Sequence, residues 1–528
     1  MSLRFLGLSL ALMGSTALPS LAHADDMAAR CEALADFSMR NVRIDNASLV
    51  PAGELPADPN SAMTGGSKRA LSVGSHCLVE GKIKDRAGVG GQYGIRFQFR
   101  APIDWNGRFL FQGGGGMDGF IAPAIGSIPV NTTTATPALA RGYAVVSMDG
   151  GHDGRDASFA QDQQARLDLG FAAIGKVTNV AKSLIDDFYD KQPDHSLFMG
   201  CSNGGREALM AAQRFPLEFD GVVAGNPGFH LSHAPLAELW DVKHLMAIAP
   251  KENGKTILAK ALTQDDLDLV SEAVLAACDD LDGLKDGLIN AYRSCKFDLE
   301  SLRGKLEDKK LDGLKTIMAG PVDAAGNALY SDWPVDAGIN APGWRMWKLG
   351  TSETGQSNAL NVILGMESFS RLFVTPPMQT VDLETLDFGA AEKAVREVGG
   401  YYDANSTFMT SYANRGGKLL VFHGMSDPVF SASDLMNWYE EAEANTGDKD
   451  FSRLFMVPGM THCGGGPALD DFDPLTVMEQ WIETNKAPEQ MAATGKSFEG
   501  TTQPICAYPK EARYEGGDPT SIGSYSCQ

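Results

Sequence analysis

Several short apolar runs in this chain end directly in glycine-rich turns, and that repetition constrains the fold more than any other feature. RFLFQ (108–112) enters Gly113–Gly116, YAVVSM (143–148) enters DGGHD, and SLFM (196–199) enters GCSNGG. GVVA (221–224) enters GNPG, KLLVF (418–422) enters HGMSDP, and RLFMV (453–457) enters PGMTHCGGG. Apolar runs this short, bounded by turn signals, read as fully buried strands. Helical patterns over 170–189 and 206–214 separate several of them. Strands alternating with helices predict an α/β fold, a mostly parallel sheet with helices on both faces. IRFQFR (95–100) instead alternates apolar and polar residues, which predicts a half-exposed antiparallel strand near an edge. Between 229 and 403 the rhythm stops, in a stretch rich in acidic residues, Gly, Asn and Trp with helical pieces such as 264–277. One insertion between two sheet strands is the simplest reading, with the core divided into 25–228 and 404–528.

The first residues, MSLRFLGLSLALMGSTALPSLAHADD, place Arg4 before an apolar run, and Ala22-His23-Ala24 has the small-x-small form of a cleavage site. Residues 1–24 read as a secretory signal, so the protein is expected to be exported, to the periplasm or beyond. The run is shorter than the ~20 residues that span a bilayer, and stable membrane insertion is not expected. A net charge of −22 argues against nucleic acid as a partner. Eight cysteines in an oxidising compartment imply disulfides, but their spacing alone does not fix the pairing. The oligomeric state has no signature in the sequence.

Gly200-Cys201-Ser202-Asn203-Gly204 matches G-x-S-x-G, with a strand before it and the helical REALMAAQR after it. Small residues there permit a strained strand-to-helix turn that lifts the serine above the sheet. A serine nucleophile needs a base in contact, a third group that orients the base, and donors for the oxyanion. In hydrolases of this architecture the partners follow in the order acid, then histidine. Asp427 lies at a strand end in HGMSDP, with Asp434 in reserve, and His462 is the only histidine beyond it. The oxyanion donors expected are the backbone N–H of Asn203 and one from Gly113–Gly116. Cys201 precedes the serine and Cys463 follows the histidine. Contact between Ser202 and His462 would bring the two cysteines within disulfide reach. A free thiol at either position is the weaker alternative, since an exported thiol oxidises.

These residues resemble the tannase and feruloyl esterase family in its CS-D-HC pattern: Cys201-Ser202, Asp427, His462-Cys463. WNGRF (105–109), DGGHD (149–153), GCSNGGREALMAAQRFP (200–216), FHGMSDPVFSA (422–432) and VPGMTHCGGGP (457–467) carry the resemblance over nearly the whole mature chain. It implies an α/β-hydrolase core with a large inserted lid, and it places the second oxyanion donor at Gly116. In CDDLDGLKDGLI (278–289), which has four aspartates, Asp279, Asp282 and Asp286 crowd one loop, which suits a hard cation or a solvated acidic turn equally well. The resemblance implies a structural Ca²⁺ held by Asp279, Asp282 and Asp286 and by the carbonyls of Leu284 and Leu288, with no organic cofactor. Cys278 and Cys295 flank that loop and are expected to pair. Cys31–Cys77 and Cys506–Cys527 are the remaining pairs that the resemblance supports.

Substrate choice falls to the insertion, whose Trp333, Trp344, Trp347, Phe369 and Phe373 could stack on an aromatic acyl group, as could Phe430 beside Asp427. A substrate carboxylate would favour a cation in the pocket, and the stretch between Lys348 and Arg371 has none. The expectation is a secreted serine esterase for small aromatic esters, hydroxycinnamates first. A terephthalate-monoester hydrolase or a tannase is the alternative. An acyltransferase, or an inactive binding protein on the same fold, is more remote.

Overall fold

The computed structural model describes residues 19–57, 59, 61, 69–378, 380–448 and 450–528. Most of the expected export signal, residues 1–18, lies outside the described residues. A helix, α1 (Pro19–Ala33), follows.

Nine strands form the main sheet: β1 (Val42–Val50), β2 (His76–Gly88), β3 (Gly91–Pro102), β4 (Arg108–Gln112), β5 (Ala144–Met148), β6 (His195–Cys201), β7 (Gly221–Gly225), β8 (Lys418–Gly424) and β9 (Ser452–Val457). Their spatial order is β1-β2-β3-β5-β4-β6-β7-β8-β9. The first pairings, β1 with β2, β2 with β3 and β3 with β5, are antiparallel. Strands β4 to β9 run parallel. This is the α/β-hydrolase arrangement. The parallel strands are short and apolar because both faces are covered. Phe109 and Phe111 of β4 join one core layer, and Leu110 between them joins the other.

Helix α2 (Ala173–Tyr189) shows why one face docks. Ile174, Val177, Ala181, Leu184 and Phe188 recur at three- and four-residue steps and are all buried. They pack in the same layer as Phe97, Phe99 and Phe111. The larger ones, Ile174, Val177, Leu184 and Phe188, contribute about 1.5–3 kcal/mol each relative to exposure. The helix stops at Asp190, which takes a left-handed conformation (φ 54°).

Residues 95–100 lie in an antiparallel strand, as expected, but the half exposure expected near an edge is corrected. β3 is third of nine, paired on both sides. Ile95, Phe97 and Phe99 are fully buried. The alternate face carries a polar ladder: Gln98 donates to Glu80, and Arg100 contacts His76. The alternation reports one polar face of an interior strand, and says nothing about an edge.

The described residues of 226–417 add no strand to the main sheet. The expected insertion, 229–403, falls inside this interval, and its ends meet: the Ala404 N–H donates to the Phe229 carbonyl at 2.7 Å. It holds helices α4 (Ala234–Ile248), α5 (Gln264–Cys278) and α6 (Pro342–Lys348). Thr263 and Asp266 cap α5 reciprocally, which satisfies two otherwise unpaired donors. The insertion has a core of its own, where Leu258, Leu262 and Leu267 surround Trp333 and Trp344. No helix among the described residues is long and apolar enough to cross a membrane.

Candidate active site

The turn between β6 and helix α3 (Asn203–Arg214) holds Ser202 at φ 61°, ψ −124°. A non-glycine residue in that region carries backbone strain of about 1–3 kcal/mol. Backbone bonds hold it there: Ser202 N–H donates to Gly225, and its carbonyl accepts from Gly228 and Arg206. The flanking glycines are required by close approach. A Cβ on Gly204 would lie 2.5 Å from the Gly114 carbonyl oxygen, and one on Gly200 2.5 Å from the backbone of Gly204.

Ser202 Oγ lies 2.9 Å from His462 Nε2, and His462 Nδ1 lies 2.9 Å from Asp427 Oδ2. Asp427 and His462 follow β8 and β9, the parallel strands beyond β7, so three strand ends converge on one point. An N–H at Nδ1 bonded to Asp427 leaves Nε2 with its lone pair toward the serine. This is the geometry for passing the serine proton to the imidazole. Asp434, the reserve acid, lies instead beside His230, at 3.4 Å.

Asp427 is fully buried and accepts further bonds from Val429 N–H (2.8 Å), Phe430 N–H (3.2 Å) and the Asn226 amide (2.7 Å). Burial pushes its pKa up, but the charge and hydrogen bond of His462, with His423 and Asn226, hold it down at about 2. It is therefore an anion at any working pH. His423 sits 3.6 Å from the same carboxylate, while its Nε2–H donates to the Phe430 carbonyl. Burial lowers its pKa, which keeps it neutral. Asn226 and His423 escape a reading of the sequence. Asn226 had a signal, because GNPG ends β7 beside the nucleophile strand.

Gly116 and Asn203 line one cavity with Ser202. Asn203 is held from both sides: its amide donates to Asp118 at 2.7 Å, and its carbonyl oxygen accepts from Arg206 Nε at 2.7 Å. Arg206 is fully buried and also donates to the Gly170 and Leu169 carbonyls. Glu207 accepts from Gly114 N–H at 2.9 Å, which ties the glycine run to α3. Burial pushes the pKa of Asp118 well up, and Glu207 adds to the rise.

Disulfides join Cys31–Cys77, Cys201–Cys463, Cys278–Cys295 and Cys506–Cys527, and no described cysteine is free. Cys201–Cys463 spans Cα atoms 6.1 Å apart and pins the serine turn to the histidine loop.

The same cavity is lined by Leu231, Trp347, Leu372, Phe373 and Phe430. The ring centroids of Trp347 and Phe430 lie 5.6 and 5.4 Å from that of His462, both edge-on. Trp333, Trp344 and Phe369 are packed in interior clusters and line no part of it.

In the acidic loop, Asp279 accepts from Gly287 N–H (2.9 Å), Asp282 from Leu284 N–H (3.0 Å), and Asp286 from Gln503 (2.7 Å). Burial, with the neighbouring carboxylates, raises the pKa of Asp282 to about 6 and that of Asp286 as well. An all-oxygen donor set with unbalanced negative charge fits a hard cation. The carboxylates are not drawn tightly together, however. Among the described residues the group with ligating atoms all within 4.8 Å is His230, His233 and Asp403. Those atoms already have partners: Ser232 bonds both His233 Nδ1 and Asp403, and His230 faces Asp434.

Residues 77–528 match the family described as "Tannase and feruloyl esterase". The chain is 37% identical to the mono(2-hydroxyethyl) terephthalate hydrolase of Piscinibacter sakaiensis, over 94% of this chain and 91% of that one. It is 26% identical to feruloyl esterase B of Aspergillus niger, over 98% and 99%. Its fold matches the crystal structure of feruloyl esterase B from Aspergillus oryzae, with a TM-score of 0.77 at 23% identity, covering 95% of this chain and 100% of that one. Tannin acyl hydrolase from Aspergillus niger matches at 0.70 and 21%, covering 93% and 92%. The chain belongs to the tannase and feruloyl esterase family and is a carboxylic ester hydrolase.

Proposed function

We propose that this esterase is exported and acts on esters of small aromatic acids, through an acyl-enzyme on Ser202. Ser202 Oγ attacks the ester carbonyl carbon while its proton passes to His462 Nε2. The N–H groups of Asn203 and Gly116 receive the oxyanion. The bond to the alcohol breaks, and the alcohol leaves with the proton from His462. Water then attacks the acyl carbonyl by the same route, which frees the acid and restores Ser202. Asp427 stays ionised throughout and holds the imidazole in orientation.

The observation that carries this reading is the serine opening into a cavity walled by Trp347, Phe373 and Phe430. Similarity favours a terephthalate-type monoester, given 37% identity to the hydrolase named for one against 26% to a feruloyl esterase. One observation favours the hydroxycinnamate reading instead: the described residues that line the cavity include no Lys or Arg to meet a substrate carboxylate. The four disulfides suit an oxidising compartment and support export. Asp279, Asp282 and Asp286, with the Leu284 and Leu288 carbonyls, would hold a Ca²⁺ that stiffens the insertion, away from the cavity.

The test is kcat/KM for methyl ferulate, chlorogenate, methyl gallate and mono(2-hydroxyethyl) terephthalate. Turnover of any of them at 10⁴ M⁻¹s⁻¹ or above, the lower end of the ordinary enzyme range, supports the reading. Failure on all four by folded, oxidised protein, with turnover of short aliphatic esters, would reject an aromatic acyl site.

A further inference from the structure

The cavity that receives Ser202 contains one ionisable side chain with no part in the ester chemistry. Glu238 of α4 lines it and is 6% exposed. Its carboxyl lies against the backbone of Gly365, where an added Cβ would be 2.4 Å from Oε2. No described group hydrogen-bonds to it. The hydroxyl of Ser368, also in the lining, already donates to the Leu364 carbonyl at 2.6 Å.

Its place along the cavity follows from the helix. Ala234, also in the lining, packs with Val429 and Phe430, next to His462. Glu238 is four residues on, on the same face and about 6 Å further along the axis.

The surrounding charge decides what Glu238 can recognise. Asp241 and Lys348 are buried beside it, at 1% and 2% exposure. The Lys348 ammonium donates to Asp241, which also accepts from Asn361 at 3.3 Å. The ammonium further lies 4.7 Å from the centre of the Trp333 ring. Two carboxyls thus share one ammonium, and Asp241 holds it directly. Burial, with Asp241 adding and Lys348 opposing, pushes Glu238 up to about 8. At neutral pH it is a carboxylic acid, with an O–H donor and a carbonyl acceptor that both lack a partner.

We propose that Glu238 is a specificity-determining residue that receives the ring hydroxyl of a hydroxyaromatic acyl group and selects it over a ring bearing a carboxylate. A phenol can donate to the Glu238 carbonyl oxygen or accept its proton. A second carboxylate would enter beside Asp241 with only Lys348 to balance both. The inference rests on the aromatic acyl site proposed above.

The experiment compares kcat/KM at pH 7 for two ester pairs. One is methyl 4-hydroxycinnamate against methyl cinnamate; the other is mono(2-hydroxyethyl) terephthalate against 2-hydroxyethyl benzoate. Wild type is expected to favour the hydroxylated ring by about tenfold, the scale of one or two buried hydrogen bonds. It is also expected to favour the benzoate over the terephthalate. Glu238→Leu should abolish the hydroxyl preference, mainly through KM, and Glu238→Gln, which keeps a donor and an acceptor, should retain it. Glu238→Met stands in if the leucine variant does not fold. Equal rates on the two cinnamates in wild type would overturn the inference. So would a wild-type preference for the terephthalate, or a hydroxyl preference that survives in Glu238→Leu. No turnover of any of these esters would instead overturn the aromatic acyl site itself.

Discussion

Asp427 is held by more than its bond to His462, and the groups that hold it act through it. Its oxygens face two backbone N–H groups, the Asn226 amide, and two imidazoles. Asp427→Asn should lower kcat by about 10⁴, because the imidazole then loses its orienting anion. Asn226→Ala should lower kcat about tenfold with little change in KM, the scale of one hydrogen bond to a charged group. A rise in KM with kcat unchanged would contradict a positioning role. Glu238 gives a stability prediction with a definite sign. Its folded pKa, about 8, lies above the ordinary glutamate value, so the folded chain binds more protons than the unfolded one. Its contribution to stability therefore falls as pH rises from about 4.5 toward 8. Glu238→Gln should match wild type in Tm near pH 4.5 and gain on it steadily up to pH 8, with Lys348 and Asp241 the charged groups facing it. A pH-independent difference in Tm would show that Glu238 is not held neutral.

Among the elements, the Cys201–Cys463 bridge ties the β6 turn to the loop after β9. It closes a sequence separation of 262, for which a loop-entropy model gives about 5.6 kcal/mol as an upper figure. Replacing both cysteines by Ala should lower Tm and also kcat, because Ser202 and His462 then lose their shared anchor. Unchanged kcat would mean that the backbone bonds of Ser202 suffice. The acidic loop after α5 predicts the opposite pattern. Chelation by EGTA should lower Tm yet leave kcat within about twofold at temperatures where the protein stays folded, since no residue of 278–295 lines the cavity. How legible each element was in the sequence depended on where its partners lie. Strands feeding glycine turns and the order Ser202, Asp427, His462 were readable, because each candidate residue follows its own strand. The place of β3 was not, because an alternating pattern gives one polar face, not what covers it. Trp333 and Trp344 read like Trp347 in the sequence; only packing separates core from cavity. Glu238 and Lys348 were opaque for the same reason: a charged side chain on a helix normally points to solvent, and these two turn inward beside Asp241.

At the scale of the molecule, the net charge of −22 surrounds a cavity without a lining cation. Such a field repels anionic esters at long range and is screened by salt. For mono(2-hydroxyethyl) terephthalate, kcat/KM should rise between low and physiological ionic strength. For a neutral ester it should stay flat. Equal salt dependence for both would place the charge too far from the mouth to matter. All of this rests on one claim, that Ser202 is the nucleophile for an aromatic acyl ester. The most direct measurement is hydrolysis of methyl ferulate and mono(2-hydroxyethyl) terephthalate by wild type and by Ser202→Ala, both checked for folding and for intact disulfides. Wild type is expected to turn over at least one ester, and the variant to lose about 10⁴-fold or more. A Ser202→Ala protein that keeps activity within tenfold of wild type would contradict the claim.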